Sequence, residues 1–292
     1  MPELPEVETI KRDLIPRIVG RSFAGATTNW PKMVQIPSSE HFSRCLTGKI
    51  IEKLDRRGKY LIFRLSSGEA LILHLRMSGS LLLKPARAEP DPYVRVIFLL
   101  DDGTQLHFRD PRKLGVMWLV EDENAVVGKL GPEPLELDFT AEVLAQRLAK
   151  RSAPIKAVLC DQAFLAGVGN MYADEALFAA GIHPLREAKS LSHEEVVRLH
   201  RALRQVLEAA IAGSGASISD YRRPDGKLGM AQFAFQVAHR GGQPCPICGT
   251  PIERIPIRNR GTYFCPRCQK RSKSDSEIIH KSIDKSKHLM LN

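Results

Sequence analysis

The sequence predicts an α+β protein with an N-terminal β-sandwich, a mainly helical second half and a four-cysteine hairpin near its end. Three observations carry this prediction. Short β-prone runs between residues 60 and 109 are separated by Ser-Ser-Gly and Asp-Gly turns. Apolar residues at three- and four-residue spacing recur from 154 to 211. Two C-x-x-C pairs, Cys245/Cys248 and Cys265/Cys268, lie 16 residues apart. A length of 292 residues suits two domains, each able to bury a core. The expected division is 1–133 for the sandwich, 134–237 for the helical part, 238–270 for the hairpin and 271–292 for a polar tail.

Taken in order, the first element is a helix with Val7, Ile10 and Leu14 on one face and Gly20 past its end. Two hairpins follow. Tyr60–Leu65 and Ala70–Leu75 flank Ser66-Ser67-Gly68, and Val94–Leu100 and Gln105–Arg109 flank Asp102-Gly103. Gly131-Pro-Glu-Pro134 links to the second half. Pro154 to Pro184 reads as helix, turn, helix, with the turn at Leu165-Ala-Gly-Val-Gly-Asn170 and the second helix running from Met171 to about Ala180, stopped by Gly181. Ser192 and Glu195 form a capping box ahead of a helix whose core face is Val196, Leu199, Leu203, Val206, Leu207 and Ile211. Gly213 to about Phe235 is rich in Gly, Ser and Asp and reads as a mobile loop of the kind that closes over a ligand. There is no internal repeat.

Composition narrows the function. The net charge of +10 favours a polyanionic partner, nucleic acid first and an anionic membrane second. No apolar run approaches the roughly 18 residues a span requires, and no secretory signal opens the chain. An intracellular, cytoplasmic protein is expected, in which six cysteines do not form three disulfides. Four of them suit one tetrahedral, structural Zn2+ with no position left for water. Cys45 and Cys160 read as packing residues.

The opening Met1-Pro-Glu-Leu-Pro-Glu6 carries the sharpest chemistry. With Met1 removed, Pro2 presents a free secondary amine beside the Glu3 carboxylate. Such an amine titrates near 8, so part of it is neutral and nucleophilic at neutral pH. Pro and Glu also simply suit a helix's first turn. Lys59, in Arg56-Arg57-Gly58-Lys59-Tyr60, is either a surface charge or a phosphate and proton-transfer group. Met77 lies in a tight Met-Ser-Gly-Ser turn, and Arg112, Lys113 and Leu114 put cations beside an apolar tip. Apolar tips among arginines are used to wedge into base stacks, although methionines are commonly core. Gly167, Gly169 and Asn170 open a helix N-terminus that suits a phosphate or a plain helix corner. Arg260 sits at or near the tip of the cysteine hairpin, around Asn259-Arg260-Gly261, where a guanidinium can fork onto phosphate.

In this order, the motifs Pro2-Glu-Leu-Pro-Glu6, Arg57-Gly-Lys-Tyr60, Met77-Ser-Gly-Ser80, Asp110-Pro-Arg112, Gly167-Val-Gly-Asn170 and Cys245…Cys268 resemble bacterial formamidopyrimidine-DNA glycosylases over about residues 2–270. The resemblance implies a β-sandwich and a helix–two-turn–helix domain, with a groove between them for kinked duplex DNA bearing oxidised bases or abasic sites. It also implies a monomer, and a glycosylase and abasic-site lyase. Pro2 would be the Schiff-base nucleophile and Glu3 its acid/base group, Lys59 a proton donor and phosphate contact, and Arg260 a phosphate ligand aiding δ-elimination. Met77 and Arg112 would fill the hole left by the flipped base. Tyr93, Lys113, Leu114, Arg151, Lys156 and Asn170 would be further DNA-contacting positions.

Three features depart from the family pattern. Leu114 stands where an aromatic wedge is usual, Ala238-His239 replaces a Tyr-Gly, and the tail runs beyond the usual end. Two other readings compete: an endonuclease VIII-like enzyme for oxidised pyrimidines, against which Leu4 and Met77-Ser-Gly-Ser80 speak, and a non-cutting binder of damaged DNA, which would need Pro2, Glu3 or Lys59 replaced.

Overall fold

A computed structural model of the chain describes residues 2–270; Met1 and the polar tail expected over 271–292 lie outside the described residues. The chain forms two compact units. Among the described residues, one holds 2–133 together with Leu207–Ala234, and the other holds Pro134–Val206 with 235–270.

The first unit opens with α1 (Leu4–Ile18), where Pro5 occupies the first turn and Glu3 and Glu6 make a capping box. Its apolar stripe of Val7, Ile10, Leu14 and Ile18 is wholly buried. β1 (Phe23–Thr28), β2 (Val34–Ile36), α2 (Ser39–Leu46), β3 (Ile51–Arg57), β4 (Tyr60–Leu65), β5 (Ala70–His74), β6 (Ser80–Lys84), β7 (Val94–Leu100), β8 (Gln105–Arg109), β9 (Val116–Val120) and the short α3 (Asn124–Val127) follow. They build a four-stranded sheet ordered β1-β7-β8-β6 and a five-stranded sheet ordered β2-β9-β5-β4-β3.

The sheets share one core, to which Phe23, Phe98 and Phe108 come from the first and Leu61, Phe63, Leu73 and Met117 from the second. Ile62 and Ile72 are register partners on the opposite face of the second sheet and pack with Val127 of α3. With both faces covered, β5 is buried at every position, so its apolar run does not alternate.

The second unit contains α4 (Ala141–Leu148), α5 (Ile155–Leu159), α6 (Asn170–Ala180) and much of α7 (His193–Ala212), followed by the hairpin of β10 (Glu253–Ile257) and β11 (Arg260–Phe264). Gly181 ends α6 at φ 69°, the left-handed stop expected from its position. Ser192 and Glu195 form the capping box, with bonds of 2.9 and 3.2 Å.

The hairpin turn differs by one residue from the expectation. Arg258 and Asn259 both have positive φ (45° and 62°), and Ile257 pairs with Arg260, so Arg260 begins β11.

The segment after α7, grouped by sequence with the helical half, follows a defined course against the first unit. Ser80 Oγ donates to the Asp220 carbonyl at 3.1 Å, Leu83 N to the Pro224 carbonyl at 2.9 Å, and Arg223 pairs with Asp13 at 2.9 Å. Among the described residues, no helix is long and apolar enough to cross a membrane.

Candidate active site and nucleic-acid interface

In the first unit, Pro2 is buried and Glu3 is completely so. The residue organising this end is Glu6, which the sequence reading saw only as part of a motif. One of its carboxylate oxygens accepts the Glu3 N–H and the other accepts the Ala216 N–H, both at 2.7 Å. A single side chain therefore fixes both the backbone beside Pro2 and the start of the 213–234 loop. Tyr221 adds hydroxyl bonds to the Glu6 and Ser214 carbonyls. Burial, with Glu6 close by, pushes its phenol upward, so it stays a neutral donor.

Lys59 is 5% exposed and follows a turn held by Glu133. The Glu133 carboxylate accepts the Gly58 N–H at 2.5 Å, Arg57 at 2.9 Å and Arg56 at 2.7 Å. Arg56 also reaches Glu8 of α1 at 3.0 Å, which ties the helix behind Pro2 to the strand ahead of Lys59. Burial works against charge on Glu8, yet Arg12, Lys11 and Arg56 hold its carboxyl below the usual range.

His74 is a second residue that the sequence reading did not single out. It sits across from Tyr60 in the register and stacks edge-on against that ring at 4.5 Å. Burial first, then the charges of Arg76 and Lys59, drive its pKa down to about 3, so the ring is neutral. Nothing in a lone histidine within an apolar strand announces this.

Met77 and Leu114 are 45% and 39% exposed, and Arg112 Nη1 lies 3.6 Å from the Met77 sulfur. The structure thus brings together two of the expected wedge residues. Lys113 stacks over Trp30 at 4.1 Å, and Tyr93 is covered by Arg109 at 4.8 Å.

Lys156, Asn170, Arg151 and Arg260 lie in the second unit. Lys156, expected as a DNA-contacting cation, is 1% exposed; its ammonium pairs with Asp174 and donates to the Asn170 carbonyl at 2.8 Å. Asp174 also accepts the Tyr263 N–H at 3.2 Å, so the pair braces α5 and α6 against β11. Burial pushes the Asp174 carboxyl above the usual carboxylate range against the pull of Lys156. Asn170, expected as a helix cap facing phosphate, is the first helical residue, with Gly169 as the cap. Its amide nitrogen donates to the Gly261 carbonyl at 2.8 Å.

Arg260 is exposed and lines a cavity of about 280 Å³ with Lys156, Cys160, Asp161 and Arg258. Arg151 is exposed and lies 3.7 Å from Asp161. At Ala238-His239 the backbone is secured independently of side chain, because Glu175 gathers the N–H groups of Gln236, Val237 and Ala238 at 2.8–3.0 Å.

The sulfurs of Cys245, Cys248, Cys265 and Cys268 lie within 4.8 Å of one another, with pairs at 3.9 and 3.5 Å. A tetrahedron of zinc–sulfur bonds near 2.3 Å has edges of roughly 3.8 Å. The four thiolates fit one structural zinc.

Residues 1–117 match the formamidopyrimidine-DNA glycosylase N-terminal domain, residues 130–222 its H2TH domain, and residues 242–271 the zinc finger found in FPG and IleRS. The chain is 47% identical to a formamidopyrimidine-DNA glycosylase of Symbiobacterium thermophilum over 273 residues, 92% of this chain and 89% of that protein. The crystal structure of MutM (FPG) from Thermus thermophilus superposes with a TM-score of 0.84 at 42% identity, covering 92% of this chain and 98% of that one. A Lactococcus lactis FPG mutant in complex with Fapy-dG-containing DNA gives 0.87 at 37%, covering 92% and 100%. The chain belongs to the formamidopyrimidine-DNA glycosylase family.

Proposed function

We propose that this chain excises oxidised purines, 8-oxoguanine and formamidopyrimidines, from duplex DNA and then cuts the strand at the abasic site it has made. One observation carries the reading: Pro2 and Glu3 stand buried at the head of α1, held by Glu6, in a chain 47% identical to a formamidopyrimidine-DNA glycosylase. Relatives solved with Fapy-dG-containing and abasic-site DNA support the substrate class.

A base inside a duplex hides its sugar carbon, so the nucleotide is turned out and Met77 and Arg112 enter the hole. The Pro2 amine, free once Met1 is gone, attacks C1′ as the bond to the base breaks. The adduct then loses its N–H proton and the C1′–O4′ bond opens, O4′ taking a proton from Glu3 as the adjacent acid/base group, and the product is a ring-opened iminium. That iminium acidifies the C2′ proton. Its loss expels the 3′ phosphate, with Lys59 supplying a proton and a phosphate contact. A further elimination, aided by Arg260 on phosphate, expels the 5′ phosphate and leaves a one-nucleotide gap. The rate falls as pH drops below the amine's pKa, near 8. With a net charge of +10, affinity for DNA falls steeply with salt. The enzyme acts as a cytoplasmic monomer. Its zinc holds the finger in shape and takes no part in the reaction.

Borohydride trapping on duplexes carrying either 8-oxoguanine or thymine glycol tests this. A covalent adduct forming preferentially with 8-oxoguanine is expected. Preference for thymine glycol would assign the chain to oxidised pyrimidines, and no adduct with either would make it a binder only.

A further inference from the structure

Asp110 is completely buried, and among the described residues no lysine or arginine pairs with its carboxylate. Four donors converge on it instead. Ser78 Oγ reaches Oδ1 at 2.5 Å and Arg112 N reaches the same oxygen at 3.2 Å, while Leu114 N and Gly115 N both reach Oδ2 at 2.7 Å. Ser78, also wholly buried, sits next to Met77 on a different turn. The carboxylate therefore joins two turns that are more than thirty residues apart in sequence.

Each turn is tight on its own account. A Cβ on Gly79 would stand 2.5 Å from the Leu75 carbonyl oxygen, and one on Gly115 would stand 2.6 Å from the Phe108 ring. Lys113, between Arg112 and Leu114, takes the left-handed conformation at φ 58°. A backbone course this constrained needs a strong local acceptor, and an anionic carboxylate facing three N–H groups supplies one.

We propose that Asp110 and Ser78 are positioning residues: a staple that sets the spacing of Met77 against Arg112 and Leu114, and thereby the ability to evert a base from an intact duplex. The proposal rests on the wedge role assigned above to Met77 and Arg112. Side chains that enter a base stack together must be ordered before they enter, or the ordering entropy is lost at the moment of binding. The two turns that the staple joins place the Arg112 guanidinium 3.6 Å from the Met77 sulfur.

The test separates eversion from chemistry. Ser78→Ala cuts the link between the turns while leaving all three backbone donors on Asp110; Asp110→Asn places an amide donor among those donors and disrupts the second turn itself. Each variant is assayed for single-turnover excision of 8-oxoguanine from a duplex, and for borohydride trapping on a single-stranded oligonucleotide carrying an abasic site, which has neither base nor partner strand to displace. Ser78→Ala is expected to slow duplex excision about tenfold, equivalent to about 1.4 kcal/mol, and to keep single-strand trapping within about twofold of the unmodified chain. Asp110→Asn is expected to lose more of the first and, where it folds, to retain the second. Equal losses in both assays, or undiminished duplex excision by Ser78→Ala, would overturn the staple while leaving the proposed function in place. Failure of the unmodified chain in both assays would overturn the proposed function and the staple with it.

Discussion

Asp174→Asn is the substitution whose cost the structure specifies most fully. Lys156 and Asp174 are each 1% exposed, and the ammonium's other partner is the Asn170 carbonyl at 2.8 Å. Replacing the carboxylate by an amide leaves a buried cation facing two neutral oxygens and deprives the Tyr263 N–H of its charged acceptor. Removing one member of a buried pair costs about 3–5 kcal/mol, and the amide oxygen that remains places this case near ~3 kcal/mol. At about 2–4 °C per kcal/mol, the melting temperature should fall by ~6–12 °C. Differential scanning calorimetry on the zinc-loaded protein measures this directly. The paired replacement Lys156→Met with Asp174→Leu removes both charges and should lie within about 1 kcal/mol of the natural chain, because the desolvation that raises the Asp174 carboxyl disappears with it. An Asp174→Asn protein within about 0.5 kcal/mol of the natural chain would refute the reasoning.

Stripping zinc with a chelator should unfold the hairpin around Cys245–Cys268 and weaken DNA binding without unfolding the β-sandwich, readable by near-ultraviolet circular dichroism and filter binding. His74, held neutral down to about pH 3, takes up its proton in the unfolded chain near 6.5. The unfolded state then binds the extra proton, so stability is retained above about pH 6.5 and declines below it at up to about 1.4 kcal/mol per pH unit; denaturant titrations from pH 4 to 8 on the natural chain and His74→Asn should show the slope flatten in the variant. Gly229→Ala should cost about 1–3 kcal/mol, because its Cβ would stand 2.1 Å from the Gly215 carbonyl oxygen. Gly226→Ala, with nothing within 4 Å and φ +85°, should cost only its backbone strain of about 1–2 kcal/mol, and urea unfolding ranks the two.

Local signals were legible in the sequence wherever one segment suffices to specify them. The strands at Tyr60–Leu65, Val94–Leu100 and Gln105–Arg109, the Gly181 helix stop and the Ser192 capping box all arise from neighbours in the chain. So does the cysteine spacing. What escaped was pairing at long range. Glu6 contacts Ala216 across 210 residues, and no periodicity encodes that. Lys156 enters only through the family resemblance, as a DNA-contacting position; its buried partner Asp174, one helix further on, could not be read from the sequence. The hairpin turn slipped by one because Asn259-Arg260-Gly261 contains a glycine, whereas the Ile257–Arg260 pair places the two left-handed residues at Arg258 and Asn259. The 213–234 segment reads as a mobile loop for its Gly and Ser content; that Asp220 and Pro224 accept from Ser80 Oγ and Leu83 N on the sandwich is again long-range pairing.

The most direct measurement is mass-spectrometric mapping of the borohydride-reduced complex between the chain, verified to begin at Pro2, and an 8-oxoguanine duplex. The added deoxyribose mass should sit on the N-terminal peptide at the proline nitrogen, and Pro2→Gly should lose most of the trapped product. An adduct mapped to a lysine such as Lys59, or excision undiminished and untrapped in both proteins, would contradict the account.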